Sequence, residues 1–293
     1  MARSREQLRK LEGLIRLADE ASKSCTKEFA KAIRELQREI HYLASQVNVA
    51  GNADAREHIY EVIEKRMARL NKRLDAIIEK QMYYTGKLAA TETGSKMGIS
   101  VHYSKEKLAE TLEAIKARGG HNFAAVLTDK MTSNAIAQLR SSVVSAFNEA
   151  AVSGMTQQEL AKTIREKWDA ASKGSFKFVD RAGRTWDTGN YIMMNVRTNT
   201  MHMYNDAVAQ TIVQETGGDL AQISEDGGTD EKCEACQEWQ GRIVSITGAT
   251  KGYPTLEQAR QAGVFHPNCI HTLETLDPTL DKEEIEEQKG MYV

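Results

Sequence analysis

The fold is decided first by residues 8–43, which read LRKLEGLIRLADEASKSCTKEFAKAIRELQREIHYL. Apolar side chains recur there in steps of three and four residues, the spacing that places them on one face of an α-helix. The members of this stripe are Leu8, Leu11, Ile15, Ala18, Ala21, Cys25, Phe29, Ile33, Leu36, Ile40 and Leu43. The pattern predicts a long amphipathic helix that ends near Ser45, with the Cys25 thiol buried in the packed face.

A second long helix is predicted after a short loop. Residues 47–54 (VNVAGNAD) supply turn residues, and Asp54 with Glu57 has the spacing of a helix capping box. The apolar stripe then continues through Ile59, Val62 or Ile63, Met67, Leu70, Leu74, Ile78 and Met82. The two helices predict an antiparallel hairpin over residues 4–83. A stripe this narrow requires a partner helix, from the same subunit or from a neighbour.

The rest of the chain divides into a helical part and a mixed part. Residues 84–103 are rich in Gly, Ser and Thr and predict a linker. Helices are predicted over 104–117, 122–152 and 156–171, the last capped by Thr156 and Glu159. The mixed part is predicted to hold a hairpin around the turn 180–184, a helix over 188–215, strands at 219–224 and 242–246, and helices from Thr255 and Asp281.

These patterns predict an α+β fold that is predominantly α. We expect a long N-terminal helical hairpin over residues 1–83, a helical linker and bundle over 84–172, and a small mixed α+β C-terminal domain over 173–293 with an acidic final helix. The composition agrees, because 27% charged, 41% hydrophobic and 6% aromatic residues are typical of a folded, helix-rich protein.

The sequence gives no indication of a membrane or secreted protein. It has no apolar run near the roughly 20 residues that cross a bilayer. The first residues, MARSREQLRKLEGL, lack the apolar core of a signal peptide. We therefore expect a protein that is made in a cytoplasm and has no membrane partner.

The net charge of −2 conceals an uneven distribution. Residues 219–293 hold 15 acidic and 6 basic residues, whereas 1–83 hold 13 and 17. The mild basic excess fits solvated helix faces, and weak non-specific contact with DNA is the alternative. An excess of this size falls short of a dedicated nucleic-acid-binding domain.

Four residues late in the chain form a candidate metal site. They are two closely spaced pairs, Cys233-x-x-Cys236 and Cys269-x-His271, and His266 is an alternative fourth ligand. Thiolate and imidazole are the ligands that zinc prefers, and four protein ligands close a tetrahedral, structural site. In the alternative interpretation the cysteines are small core residues and the histidines bond nearby carbonyl groups.

Two groups of motifs resemble a known family. The first is FVDRAGRTW at 178–186, followed by YIMMNVRT at 191–198; the second is WQGRIVS at 239–245, followed by GYP at 252–254 and HPNCIH at 266–271. Together they resemble the phage minor capsid protein family, which is similar to the Mu F-like head morphogenesis domain. The resemblance covers roughly residues 176–276. It departs at Ile270, where the family usually has arginine, and the Cys233-x-x-Cys236 pair looks more like the Mu F branch.

The resemblance implies a structural protein of a tailed-phage virion and no enzyme. Such proteins lie in the head interior near the portal vertex in several copies, and assist head assembly, DNA packaging or ejection. The implied partners are the portal protein and the major capsid or scaffold protein. Asp180, Arg184 and Arg197 match the paired motifs, and we expect charge-assisted hydrogen bonds among them to hold the hairpin on the 188–215 helix.

Two other functions are weighed against this one. A zinc-dependent His-Cys nuclease would use His266, Asn268 and His271 beside a metal ion, but the acidic surroundings would repel DNA. A toxin or effector delivered with phage DNA would need a further domain beyond the helical part and the family motifs.

Overall fold

The computed structural model describes residues 5–46, 53–117, 123–172, 177–179, 185–225 and 234–292. These ranges contain nine α-helices and five short strands, so the predicted fold class, predominantly α with some β, is confirmed. None of the helices in these ranges combines the length and the apolar character that crossing a bilayer requires. The elements are α1 (Arg5–Ser45), α2 (Ala53–Lys96), α3 (Lys105–Ala117), α4 (Phe123–Ser153), α5 (Gln157–Ser172), β1 (Lys177–Val179), β2 (Thr185–Asp187), α6 (Thr188–Thr211), β3 (Leu220–Ile223), α7 (Glu234–Trp239), β4 (Ile243–Ser245), α8 (Leu256–Gln261), β5 (Leu273–Thr275) and α9 (Lys282–Gln288).

The chain forms two compact units, each built from separate stretches. The first unit comprises Met1–Glu20, Glu79–Asn122 and Met194–Val293, and the second comprises Ala21–Ile78 and Phe123–Met193. The three consecutive domains that the sequence suggests stay a prediction.

In the second unit α1 and α2 run antiparallel. The Arg66 guanidinium bonds the Glu39 carboxylate at 2.6 Å, and Arg73 pairs with Glu28 at 3.3 Å. The residue numbers of the partners therefore decrease along α1 as they increase along α2, which is the pattern of antiparallel helices. The buried face matches the predicted stripes, with members that are at most 4% exposed: Cys25, Phe29, Leu36, Ile40, Ile59, Ile63, Met67, Leu70, Leu74 and Ile78. Burial raises the pKa of the Cys25 thiol to about 12, which makes it an inert core residue.

The predicted stripe of α1 differs in detail from the buried face. Leu8 is 41% exposed, and at three positions the buried residue is the neighbour of the predicted one, namely Leu14, Ala32 and Ala44. The remaining helices of this unit follow the sequence closely. Thr156 and Glu159 form the predicted capping box, in which the Thr156 amide donates to the Glu159 carboxylate at 2.7 Å. The predicted hairpin is also present, because Phe178 pairs with Trp186 across the antiparallel β1 and β2.

The prediction of a linker from residue 84 is wrong, because α2 continues to Lys96. Its two glycines permit close packing of the following chain and do not break the helix. A Cβ atom on Gly86 would lie 2.3 Å from the Tyr103 hydroxyl, and one on Gly94 would lie 2.7 Å from a methyl of Val101. Glycine therefore allows residues 99–103 to lie directly against α2.

The first unit holds an antiparallel three-stranded sheet in the order β4-β3-β5. Its apolar cluster consists of Ile243, Tyr253 and Leu276, with Leu220 and Ile285 packed against it. The chain reaches the sheet through α6, which ends in a π-helical turn over Ile212–Thr216, with Gly217 in the left-handed conformation (φ 68°).

The segment containing α9 lies against β4, at the edge of the sheet. The Ile243 amide donates to the Gln288 side chain at 2.8 Å, and the Gly290 amide donates to the Gly252 carbonyl at 2.7 Å. The Tyr253 hydroxyl donates to the Ile285 carbonyl at 2.6 Å. These three hydrogen bonds fasten the segment containing α9 to β4 and to residues 252–253.

Candidate metal centre

Two buried cysteines from distant parts of the sequence meet in the first unit. Cys236 lies on the short helix α7 and is 1% exposed, and Cys269 follows the turn after α8 and is 3% exposed. Their Sγ atoms are 4.0 Å apart. This distance is about twice the S–S bond length of a disulfide, so both residues are thiols.

The turn that carries Cys269 has an unusual backbone. Phe265 and Asn268 have positive φ angles of 63° and 65°, and for a bulky side chain such as Phe265 this conformation costs about 1–2 kcal/mol. Bonds to α6 hold the turn in place: His202 Nε2 donates to the Phe265 carbonyl at 2.7 Å, and the Asn268 amide donates to Thr198 Oγ1 at 3.0 Å. The position of Cys269 is therefore fixed by α6.

His266 lies at the start of this turn and completes a cluster with the two thiols. A ring nitrogen of His266 and the Sγ atoms of Cys236 and Cys269 all lie within 4.8 Å of one another. Nδ1 of His266 donates to the Pro267 carbonyl at 2.8 Å. Its Nε2 is buried and has no hydrogen-bond partner among the described residues.

His271 lies beside the same cluster in a different role. It is 1% exposed; Nδ1 is 3.3 Å from Cys269 Sγ, and Nε2 is 3.2 Å from the amide nitrogen of Gln240. Because the Gln240 amide nitrogen can only donate, Nε2 of His271 accepts and Nδ1 carries the proton toward the sulfur. Asn205 of α6 fixes the backbone here, donating to the His271 carbonyl at 3.1 Å.

Of the predicted metal ligands, the structure brings Cys236, Cys269 and His266 together and places His271 against Cys269. Cys233 lies outside the described residues. Sequence reasoning did not identify Gln240 or Asn205, because a single amide residue several positions from a motif carries no signal of its own.

Arg197, which belongs to the family motifs, pairs with α1 within the first unit. Its Nε and Nη2 atoms lie 2.9 and 2.8 Å from the same carboxylate oxygen of Asp19. Asp180 and Arg184 lie outside the described residues, so the expected bonds between Arg197 and the hairpin stay a prediction.

A cavity of about 250 Å³ opens beside His266. His202, Asp206 and Arg260 contribute polar groups to its wall. The Arg260 guanidinium bonds the buried Asp206 carboxylate at 2.6 Å, so these two charges compensate each other. The two opposite charges therefore form an ion pair in the wall of the cavity.

The comparisons with known proteins point to one family. The family model described as phage minor capsid protein 2 matches residues 16–286, from the first helix to the last. Searches of the curated proteins and of the solved structures each gave no match. The match defines the class, a minor capsid protein of a phage, and the chain belongs to the phage minor capsid protein 2 family. The match is wider than the stretch of motifs, since it includes the long N-terminal helices.

Proposed function

We propose that the chain is a structural protein of the head interior, located near the portal vertex in several copies. In this position it would bind the portal protein, with the major capsid or scaffold protein as a further partner, and assist head assembly, DNA packaging or ejection. The observation that carries this proposal is the family match over residues 16–286.

The charge distribution supports contact with protein through the C-terminal part. Residues 219–293 carry a net charge of −9, which repels the phosphate backbone of DNA. The helical stretches before residue 219 have a mild basic excess, so weak contact with packaged DNA would fall there.

The Cys/His cluster supports a role without catalysis. A metal-dependent nuclease needs a hard cation with oxygen ligands and an accessible general base. The cluster formed by Cys236, His266 and Cys269 offers soft ligands instead, and both thiols are at most 3% exposed. These ligands suit a closed structural site better than a reacting one.

The test is electron microscopy of complete particles, reconstructed around the portal vertex without imposed symmetry. Particles assembled without this chain are the control. We expect the difference density inside the head, in contact with the portal ring, and cross-links between this chain and the portal protein. Difference density on the outer capsid surface or on the tail would contradict the proposal.

A second measurement addresses the nuclease alternative directly. The purified full-length chain is incubated with double-stranded DNA and Mg²⁺ or Zn²⁺, and we expect the DNA to stay intact. Cleavage that disappears in His266→Ala while the variant remains folded would favour the nuclease.

A further inference from the structure

We infer that Cys236, Cys269 and His266 bind a zinc ion that joins α7 to the turn after α8. This inference concerns a site within the chain and does not depend on where the chain lies in the virion. It rests on three observations: the spacing of the ligand atoms, the hydrogen bonding of His266 and that of His271.

The spacing of the sulfur atoms fits a tetrahedral zinc site. Two Zn–S bonds of about 2.3 Å at the tetrahedral angle place the sulfurs about 3.8 Å apart. Sγ of Cys236 and Sγ of Cys269 are 4.0 Å apart, and the nitrogen of His266 lies within 4.8 Å of both. To bind a zinc ion, the two sulfurs would need to move about 0.2 Å closer together, and the nitrogen at most about 1.2 Å closer to each sulfur.

The ring of His266 has the hydrogen bonding of a metal ligand. Histidines that bind metals commonly donate the N–H of the other ring nitrogen to a carbonyl or carboxylate, which fixes the tautomer. Nδ1 of His266 donates to the Pro267 carbonyl, so the proton is on Nδ1 and Nε2 carries a lone pair. That lone pair is buried and has no hydrogen-bond partner among the described residues, an arrangement that a metal ion would satisfy.

His271 supports the site from outside. One of its ring nitrogens accepts from Gln240, and the other directs its proton to the sulfur of Cys269 at 3.3 Å. A hydrogen bond to a ligand atom from a residue outside the ligand set is a common feature of metal sites, where it orients the ligand. The geometry therefore assigns His266 as the nitrogen ligand and His271 as the hydrogen-bond donor to the ligand Cys269.

For the protein, the zinc ion would be a cross-link between α7 and the turn after α8, two segments that are not joined by β-strand pairing. A zinc ion would connect residues that are 33 positions apart, Cys236 and Cys269. It would also hold the turn with the left-handed residues Phe265 and Asn268 against α7. Zinc binding at such a site contributes directly to folding.

The test uses the full-length chain produced in zinc-supplemented medium, with bound metal measured by mass spectrometry. We expect about one zinc ion per chain, and its loss in Cys236→Ser, Cys269→Ser and His266→Asn. The matched control is Cys25→Ala, which removes a buried thiol elsewhere and should retain zinc with unchanged affinity, whereas His271→Asn should bind zinc more weakly but still reach one ion per chain at saturating zinc. Absence of zinc from the unmodified chain overturns the inference, and retention in His266→Asn with loss in His271→Asn overturns the ligand assignment.

A second measurement covers variants that fail to fold. The unmodified chain is freed of metal with a chelator and titrated with Co²⁺, which reports its own ligands spectroscopically. We expect the sulfur-to-cobalt charge-transfer band and the intense visible bands of a tetrahedral site. A weak octahedral spectrum without the sulfur band would overturn the inference independently of any substitution.

Discussion

In the second unit the buried side chains are apolar and follow the helical period, as Leu36, Ile63 and Leu70 show with exposures of at most 1%. Around the three-stranded sheet of the first unit, polar side chains such as Asp219 and Asn205 instead bond backbone groups far away in the sequence. The stabilisation from apolar packing is distributed over many contacts. A polar side chain that bonds several groups instead makes a large contribution to stability through one residue. The two regions should therefore respond to different substitutions.

The largest effect is expected from a core truncation in the helices of the second unit. Leu36→Ala removes a fully buried side chain and should lower the free energy of unfolding by about 4 kcal/mol, because it leaves a cavity in a packed face. The measurement is chemical denaturation followed by circular dichroism. Leu8→Ala is the matched control on the same helix, since Leu8 is 41% exposed and should cost less than about 1 kcal/mol. Equal effects would mean that the stripe is not the packed face.

The next effect concerns Cys233, which the sequence predicts as a zinc ligand and which would complete the site with Cys236, Cys269 and His266. Zinc binds to structural sites with a free energy of roughly 10–16 kcal/mol. Divided equally among four ligands, this is about 3 kcal/mol for each ligand, which corresponds to more than a hundredfold in affinity. We expect Cys233→Ser to weaken zinc binding by at least that factor in competition with a coloured chelator. His271→Asn should cost about 10–100-fold, the usual effect of losing an outer hydrogen bond to a ligand. An unchanged affinity in Cys233→Ser would exclude this residue as a ligand.

A polar substitution near the sheet should come third. The Asp219 carboxylate accepts from the side chains of Ser245 and Thr247 and from the amides of Thr247 and Thr250, at 2.8 and 2.9 Å for the two amides. Asp219→Asn removes the charge and part of this accepting capacity, and should cost about 2 kcal/mol. Glu287→Gln on α9 is the matched control, because it makes the same chemical change on an exposed side chain.

The same residue predicts a dependence on pH. Burial raises the pKa of the Asp219 carboxyl, but the hydrogen bonds from Ser245, Thr247 and Thr250 outweigh it and hold the pKa well below its usual range. A lowered pKa contributes stability above the unfolded value of about 3.9, and this contribution is lost as the pH falls below it. The difference in melting temperature between the unmodified chain and Asp219→Asn should therefore shrink below about pH 4. A difference that stays constant down to pH 2 would contradict this account.

The smallest effect is expected at Arg197. Its ion pair with Asp19 joins side chains that are 38% and 32% exposed, so Arg197→Ala should cost only about 0.5 kcal/mol. Arg73→Ala, which breaks the comparable pair with Glu28, is the control in the second unit. A loss above about 2 kcal/mol at Arg197 alone would show further bonds of this side chain, as the family motifs predict.

The sequence predicted the long helices well and the short elements less well. The apolar stripe of α1, which includes Leu36 and Ile40, continues over many helical turns. One misplaced residue such as Leu8 therefore does not alter the prediction. The helix α7 and the strand β5 were not predicted, because six and three residues are too short for a period to be recognised. The glycines of α2 were interpreted as helix-breaking because a sequence does not show which neighbouring chain needs the space.

For the candidate site, the sequence supplied the set of residues and the structure supplied the choice between histidines. His266 and His271 are equally good ligands by residue type and are five positions apart. The positions of the ring nitrogens and the hydrogen bonds of each ring distinguish them, and those bonds depend on Pro267 and Gln240, which no metal-binding pattern includes.

The hydrogen bond from Ile243 to Gln288 bears on how copies of this chain would meet if, as we propose, several lie in one particle. A strand with open backbone groups can recruit the matching strand of a neighbour and grow into an uncontrolled polymer. At the β4 edge, Gln288 occupies the Ile243 amide and Pro254 accepts from the Ser245 amide. A neighbouring copy could therefore not pair with these two amides of β4, so a contact between copies at this edge would depend on side chains.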